Sequence, residues 1–492
     1  MRTPSHLAGF GFLGAVLAGA ALAAAAGTTA AADMSAAADT PRHPYELTLP
    51  PLQFELAEMA KDTLACRIPV YGVENHDLPL VTIAVRFRLG HRYVAPEEFT
   101  ALDLLGDVWA TGGTRDLDPD AFDRRAVELD VDLSAGTGQL SSHVTASCVR
   151  EDLEDVLQLW RDVVVQPRFA PDRLERARGK RLQEIQSMND DPSLIAQAWF
   201  QWLALGREYL GGHVASRAEL ESVTAEDLHE LHRHFVHPGN ALIGISGDYD
   251  RAELLPLLDE LFAGWKKSSA NAPPPEPADW PVAPEPGVYV VRGDFAQAQV
   301  FVGHHVADLE KLSPEYPATQ ILDFALGYGR VFYRSRAMGI SYGASVYLHV
   351  ENDDPLLQGS GSCRPEAATD LAAMLLEEMQ GIRNHPLGDE EIETSRAFRV
   401  GLLISDSEVP RALIRSRLAD LAEGRPEDFQ DRYLRGLQQC TAHDLATLVE
   451  QRFLPPEEMV VLVVGDPDRF ARPLEDLGLG APQELEPVIF GD

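Results

Sequence analysis

The chain has 492 residues, 45% of them hydrophobic, enough for more than one sizeable core, and at roughly 150 residues per domain two to four domains are expected. Its formal net charge of −35 argues against nucleic acid and anionic membrane surfaces as partners, since both need a basic patch. The same acidity suits a well-solvated surface and mildly favours basic peptide ligands.

Arg2, the apolar run over 7–26 and the small residues leading to Ala30-Ala31-Ala32 stand in the order of a secretory leader, with cleavage near Ala32. A retained membrane anchor is the alternative, because the run is long and Ala-rich. No later stretch is apolar enough to span a bilayer, so the mature chain is expected to be exported, to a bacterial periplasm, without a membrane span.

Val81, Ile83, Val85, Phe87 and Leu89 alternate with polar or small residues, the period of a half-buried strand. Thr224-Ala225-Glu226-Asp227-Leu228 opens a helix to Phe235, followed by His237-Pro238, an apolar strand over 241–246 and Gly247-Asp248. The order recurs when Thr441-Ala442-His443-Asp444-Leu445 opens a helix to Phe453, then Pro455-Pro456, a strand over 459–464 and Gly465-Asp466. Both helices start with a Thr N-cap and an acidic residue three positions on. Ala298, Val300 and Val302 share a face of a strand like the first, but Phe301 puts an apolar residue on the other face. Cys148 and Cys363 each precede a helix, around 151–160 and 365–379.

The chain therefore reads as a duplicated α+β unit, each half an antiparallel sheet interleaved with long helices. The Pro-rich stretch 268–287 can enter neither helix nor central strand, and reads as a linker. The expected layout is a leader (1–32), a lead-in (33–55), a first domain (56–267), the linker (268–287) and a second domain (288–485).

Cys66, Cys148, Cys363 and Cys440 show no Cys-x-x-Cys spacing, which argues against a structural zinc. Cys66 and Cys148 fall on expected strands and could pair; buried free thiols are equally compatible. His229, His232, His234 and His237 cluster near one helix end and read as surface histidines, since His232 and His234 cannot share a helical face.

Several segments carry a family resemblance. They are Val73-Glu74-Asn75-His76-Asp77-Leu78-Pro79-Leu80-Val81, Pro167-Arg168-Phe169 with Leu174-Glu175-Arg176, and the strand from Pro238 that ends in Gly247-Asp248. In the second half they are Gly303-His304 and Leu326-Gly327-Tyr328-Gly329-Arg330, the last similar to a Leu-Gly-Gly turn. In this order the mature chain resembles the M16 (insulinase/pitrilysin) zinc peptidases. The resemblance implies two homologous domains joined into a clamp.

Active members of that family carry His-x-x-Glu-His on a helix, with two His ligands and a Glu base, and a third Glu ligand far downstream. The matching helix, over 100–109, reads Asp103-Leu104-Leu105-Gly106-Asp107. Both His are Asp and the base is Gly106. Glu184, about 77 residues on, matches the third ligand, and an accompanying acidic position is Ala177. The all-oxygen remnant Asp103, Asp107 and Glu184 suits magnesium or calcium better than zinc. The other reading is a set of solvated or salt-bridged carboxylates. No metal or catalytic residue is expected on this chain.

The resemblance also implies an Arg and a Tyr that hold the substrate backbone. Gly339-Ile340-Ser341-Tyr342 matches the family's Gly-Leu-x-Tyr, and a one-residue deletion assigns the Arg to Arg336, with Arg334 as the alternative. Arg336 and Tyr342 are thus expected to bind peptide or unfolded-protein substrate beside a partner M16 subunit that has an intact motif and carries the zinc. A structural or peptide-binding scaffold is the second reading. A self-sufficient hydrolase lacks a Gly-x-Ser-x-Gly elbow or a Cys/His grouping to support it.

Overall fold

A computed structural model describes residues 58–207, 213–266, 281–350 and 355–486. The leader, the lead-in and most of the Pro-rich stretch lie outside the described residues.

The first half folds as a six-stranded sheet of β1 (Ala60–Thr63), β2 (Pro69–Glu74), β3 (Leu80–Phe87), β4 (Asp132–Thr137), β5 (Ser142–Val149) and β6 (Ala241–Gly247), in the order β1-β2-β6-β3-β5-β4. The second half supplies β7 (Gly287–Arg292), β8 (Ala298–His305), β9 (Ser345–His349), β10 (Leu356–Cys363), β11 (Val460–Gly465) and β12 (Gln483–Leu485), in the order β12-β7-β11-β8-β10-β9. The two orders match strand for strand, except that the edge strand comes from opposite ends of the two halves. Register repeats as well: Val81 faces Cys148 as Ala298 faces Cys363. The α+β duplicated plan is borne out. The sheets are mixed rather than wholly antiparallel, because β2–β6 and β7–β11 run parallel, joined through the helices between them.

Both recurring helices open as the sequence requires. Thr224 and Thr441 cap Ala225–Phe235 and Ala442–Arg452, with Asp227 and Asp444 closing the capping boxes.

In the first half, the helices Phe99–Trp109, Leu153–Val165 and Ala225–Phe235 cover one face of the sheet around Trp109, Trp160 and Phe87. Its other face is covered by a helix of the second half, Pro410–Ala422, through Ile414 and Leu418 against Tyr71, Ala84 and Leu242. The exchange is reciprocal. Helix Pro192–Leu205 of the first half buries Ile195, Trp199, Phe200 and Leu203 against Tyr289, Phe301 and Leu462 of the second sheet. That packing explains why Phe301 breaks the alternation of β8: its ring meets Phe200 at 5.4 Å, so β8 is buried on both faces. The halves are thus held by two exchanged helices as well as by the connecting segment.

All four cysteines are free thiols, and Cys66 lies in the turn between β1 and β2 rather than on a strand. Burial pushes Cys148 up to about 11, Cys363 up to about 12 and Cys440 up to about 11. The histidine cluster also needs correction. His232 is buried, contacts the carbonyl of Val164 through Nε2 at 2.8 Å, and burial pushes its pKa down to about 4. His237 is buried too.

Candidate functional site

Helix Phe99–Trp109 turns Leu102, Leu105 and Val108 into the first core, which leaves Asp103, Gly106 and Asp107 on the side facing β4 and helix Pro171–Met188. Asp103 and Asp107 are four apart and share a face. At Gly106 the helix lies so close to β4 that an added Cβ would sit 2.8 Å from Thr137 Oγ1 and 3.1 Å from its backbone nitrogen.

Arg181, one turn before Glu184, reaches into this corner. It donates to Asp107 through both Nε (2.6 Å to Oδ2) and its NH2 nitrogen (3.2 Å to Oδ1), and its NH1 nitrogen stands 4.0 Å from Glu184. Burial pushes the guanidinium pKa down, but the hydrogen bond and charge of Asp107, with the charges of Asp103 and Glu184, outweigh burial and hold it above its ordinary value. Lys180 pairs with Glu184 at 3.3 Å, and His91 Nε2 lies 3.0 Å from Asp103.

The corner therefore does not fit a catalytic zinc. One carboxylate is taken bidentately by an arginine, and a side chain at the base position would press on Thr137 of β4. The three carboxylates already have partners of their own: Arg181 on Asp107, Lys180 on Glu184 and His91 on Asp103. Among the described residues no group of three or more His, Cys, Asp or Glu is arranged to hold a metal ion. Sequence reasoning missed Arg181 and His91. The available signal was that Arg181 falls three positions before Glu184, hence on its face of the helix.

In the second half, helix Tyr316–Asp323 continues as a π-helical stretch, Phe324–Val331, and then as helix Phe332–Ala337. The segment read as a Leu-Gly-Gly turn is thus helical. Gly327 is required there, because a Cβ would lie 2.1 Å from the Val346 carbonyl oxygen of β9. Three arginines on this rod have different surroundings. Arg330 forms a bidentate pair with Glu391 (2.7 and 2.8 Å) and donates to the carbonyls of His385 and Pro386. Arg334 is held between Glu377 and Glu378. Arg336 lies between two rings, 4.9 Å from the centre of Phe332 and 4.8 Å from that of Tyr342. Among the described residues no carboxylate pairs with it.

Tyr342 is 84% exposed yet firmly placed. Its neighbour Ser341 is buried, donates to the Ser362 carbonyl at 2.7 Å and accepts from Gly343 N at 3.3 Å. Ala344, on the other side, is fully buried. The structure thus brings Arg336 and Tyr342 into one stack and commits Arg334 elsewhere.

Duplicated mixed sheets and a motif helix stripped of its ligands define a class, and sequence comparison gives it a name. Residues 73–213 match the family described as Insulinase (Peptidase family M16), and residues 222–398 match the Peptidase M16 inactive domain. The chain belongs to peptidase family M16.

It is 24% identical over 311 residues to an uncharacterized zinc protease of Mycobacterium leprae, covering 62% of this chain and 65% of that protein. It is 26% identical over 317 residues to one of Streptomyces coelicolor, covering 60% and 61%. The chain thus spans less than two thirds of the length of these relatives. Among solved structures, a peptidase M16 inactive domain from Pseudomonas fluorescens superposes with a TM-score of 0.73 at 18% identity, covering 85% of this chain and 100% of that one. The periplasmic protease PqqL from Escherichia coli superposes with a TM-score of 0.71 at 15% identity, covering 88% and 49%.

Proposed function

We propose that this chain is the non-catalytic subunit of a two-chain, exported M16 peptidase. The partner, with an intact His-x-x-Glu-His motif, supplies zinc and the general base. This chain supplies Arg336 and Tyr342, which bind the substrate backbone and offer donors to its carbonyl oxygen. The observation that carries the reading is the contrast between the two halves. The motif corner is closed by Arg181 and Thr137, whereas Arg336 is stacked, unpaired by carboxylates among the described residues, beside an exposed Tyr342. The Escherichia coli neighbour, named as periplasmic, supports export, as does the order of the leader. Mass spectrometry of the mature protein is expected to find the N-terminus near Asp33.

The test is peptide hydrolysis by the reconstituted two-chain complex, with association measured separately. Removing donors aimed at a developing oxyanion typically slows a reaction by about 100- to 1,000-fold. Arg336→Ala and Tyr342→Phe are each expected to slow the complex in that range and leave association unchanged. Arg334→Ala should be mild, because its side chain is tied to Glu377 and Glu378. Full activity in both the Arg336→Ala and Tyr342→Phe complexes would reject the proposal.

A further inference from the structure

The Arg336–Tyr342 stack is the end of a longer array. Phe398, on helix Asp389–Glu408, stacks on Phe324 at 4.0 Å, with 23° between the planes. Phe324 stacks on Tyr328 at 5.4 Å and 25°, and Tyr328 on Phe332 at 5.1 Å and 9°. Phe332 then meets Arg336, and Arg336 meets Tyr342. Rungs 324, 328, 332 and 336 are four apart; the first two lie in the π-helical stretch, which suits that spacing, and the last two in the α-helix that follows it. The π-helical stretch winds more loosely than an α-helix, so residues four apart come nearer to eclipse and their rings lie face to face. Stretches of this kind are rare, usually single turns, and frequent at functional sites. Here one runs for eight residues.

The array is not core. Phe398 and Tyr342 are exposed at its two ends, Phe324, Tyr328 and Phe332 are half-buried, and Tyr333 beside it is 61% exposed. Apart from Tyr333, which stands edge-on to Tyr328 and Phe332, it is one ring wide. The arginines along its flank, Arg330 and Arg334, are neutralised by glutamates. Of the three arginines on the rod, Arg336, at the Tyr342 end, is the one without a carboxylate partner among the described residues. The rungs follow a contour of roughly 24 Å, the reach of about seven extended residues.

We propose that the Phe398-to-Tyr342 ladder is a binding track for an extended peptide segment that bears aromatic side chains and a carboxylate, the rings of the peptide packing against the open edges of the rungs, whose faces are taken by one another, and the carboxylate meeting Arg336. This rests on the reading of Arg336 and Tyr342 as substrate contacts, and it names the class of substrate they select. A planar protein interface would need a wider apolar face. Arg336, with its guanidinium carbon 4.9 and 4.8 Å from two ring centres and no carboxylate partner among the described residues, has N–H donors to offer a carboxylate.

The experiment uses the full chain alone and fluorescence anisotropy of labelled peptides of about seven residues, the length set by extended-chain reach. The probe alternates Phe with Gly and ends in a free carboxylate. One control replaces Phe by Ser, and another ends in a carboxamide. The probe is expected to bind more tightly than either control. Loss of one edge-on aromatic contact corresponds to about fivefold in affinity, so Tyr328→Leu should weaken the probe by that factor and leave the Ser control unchanged. Arg336→Gln should reduce the probe to the affinity of the carboxamide control. Phe398→Leu, at the solvent end, repeats the ring test should Tyr328→Leu not fold. Equal binding of Phe and Ser peptides, or rung variants as tight as the parent, overturns the track. This outcome is separable from failure of the two-chain reading, which is decided by hydrolysis in the complex and needs no affinity in the isolated chain.

Discussion

Arg181 is the residue on which the motif corner depends. Its two hydrogen bonds to Asp107 cross from one helix to another, and the Asp107 side chain is only 21% exposed. Arg181→Met leaves that carboxylate without its charged partner, which typically costs about 1–3 kcal/mol. Urea denaturation should report a loss of that size, with Arg181→Lys intermediate. The same pairing limits any attempt to rebuild the family motif. Asp103→His, Gly106→Glu and Asp107→His together should give a chain that retains no stoichiometric zinc in metal analysis. The new Glu meets Thr137, and the positive charge of Arg181, one turn from Glu184, stays beside the rebuilt ligands. Zinc retention by the triple variant with Arg181 intact would disprove this account.

Two buried histidines give stability a pH dependence. Burial pushes His232 and His304 down to about 4 from an ordinary value of 6.5, and burial with the charge of Arg86 does the same to the half-buried His143. His304 donates through Nδ1 to the His305 carbonyl and accepts the Leu454 N–H at Nε2, so its neutral tautomer satisfies both partners and protonation breaks one of them. Between pH 6.5 and 4 the unfolded chain binds more protons than the folded one. Their contribution is therefore fully present above about 6.5 and is lost as pH falls toward 4. Each site accounts for on the order of 3 kcal/mol over that window. Unfolding free energies measured from pH 7 to 4.5 should fall accordingly. His232→Gln, which keeps a donor for Val164 but cannot be charged, should flatten the slope. An unchanged slope would show that His232 is not among the groups responsible.

At the scale of elements, the exchanged helices carry the most consequence. Leu418 belongs to the second half by sequence but is fully buried on the first sheet. Leu418→Ala is expected to cost about 2–5 kcal/mol. The six tryptophans, at 109, 160, 199, 202, 265 and 280, all precede the second sheet, and Trp109, Trp160 and Trp265 belong to or pack against the first core. Trp199 and Trp202 pack on the second sheet, so the fluorescence reports both cores; against a Trp199→Phe, Trp202→Phe background it should register the Leu418→Ala lesion as earlier melting of the first core. No change in that signal would mean the helix contributes nothing there.

The sequence made the repeated strand–helix grammar, the capped helices and the motif helix legible, because these follow from local patterns. It did not reveal the exchange. An apolar helix such as Pro192–Leu205 shows that it must be covered and says nothing about by which sheet. Phe301 was the one local trace, an apolar residue on the face expected to be polar. The π-helical rod was misread as a turn because Gly327 and Gly329 resemble turn residues. Gly327 is needed instead for close contact with β9, a tertiary cause that no local window contains. Asp103, Gly106 and Asp107 were legible as losses, whereas Arg181, which completes the corner, lies 74 residues beyond Asp107 and was not.

For the molecule as a whole, the exchange changes what the Pro-rich segment does. Were the halves joined by a linker alone, each would fold with its own core and the two would come apart on severing. With helices traded, neither half is complete. Residues 58–266 alone would expose Ile195, Trp199, Phe200 and Leu203, and would leave Tyr71 and Leu242 without Ile414 and Leu418. Large exposed apolar patches of that kind drive association or aggregation. The two halves, co-expressed as separate polypeptides with 267–280 omitted, should therefore co-purify as a one-to-one complex. Calorimetry of that complex should show a single transition, its midpoint lower than that of the intact chain and dependent on protein concentration, as dissociation on unfolding requires. Each half expressed alone should be insoluble or disordered by circular dichroism. Two monodisperse, independently melting halves would mean that the exchanged helices are peripheral and that the linker is the true joint.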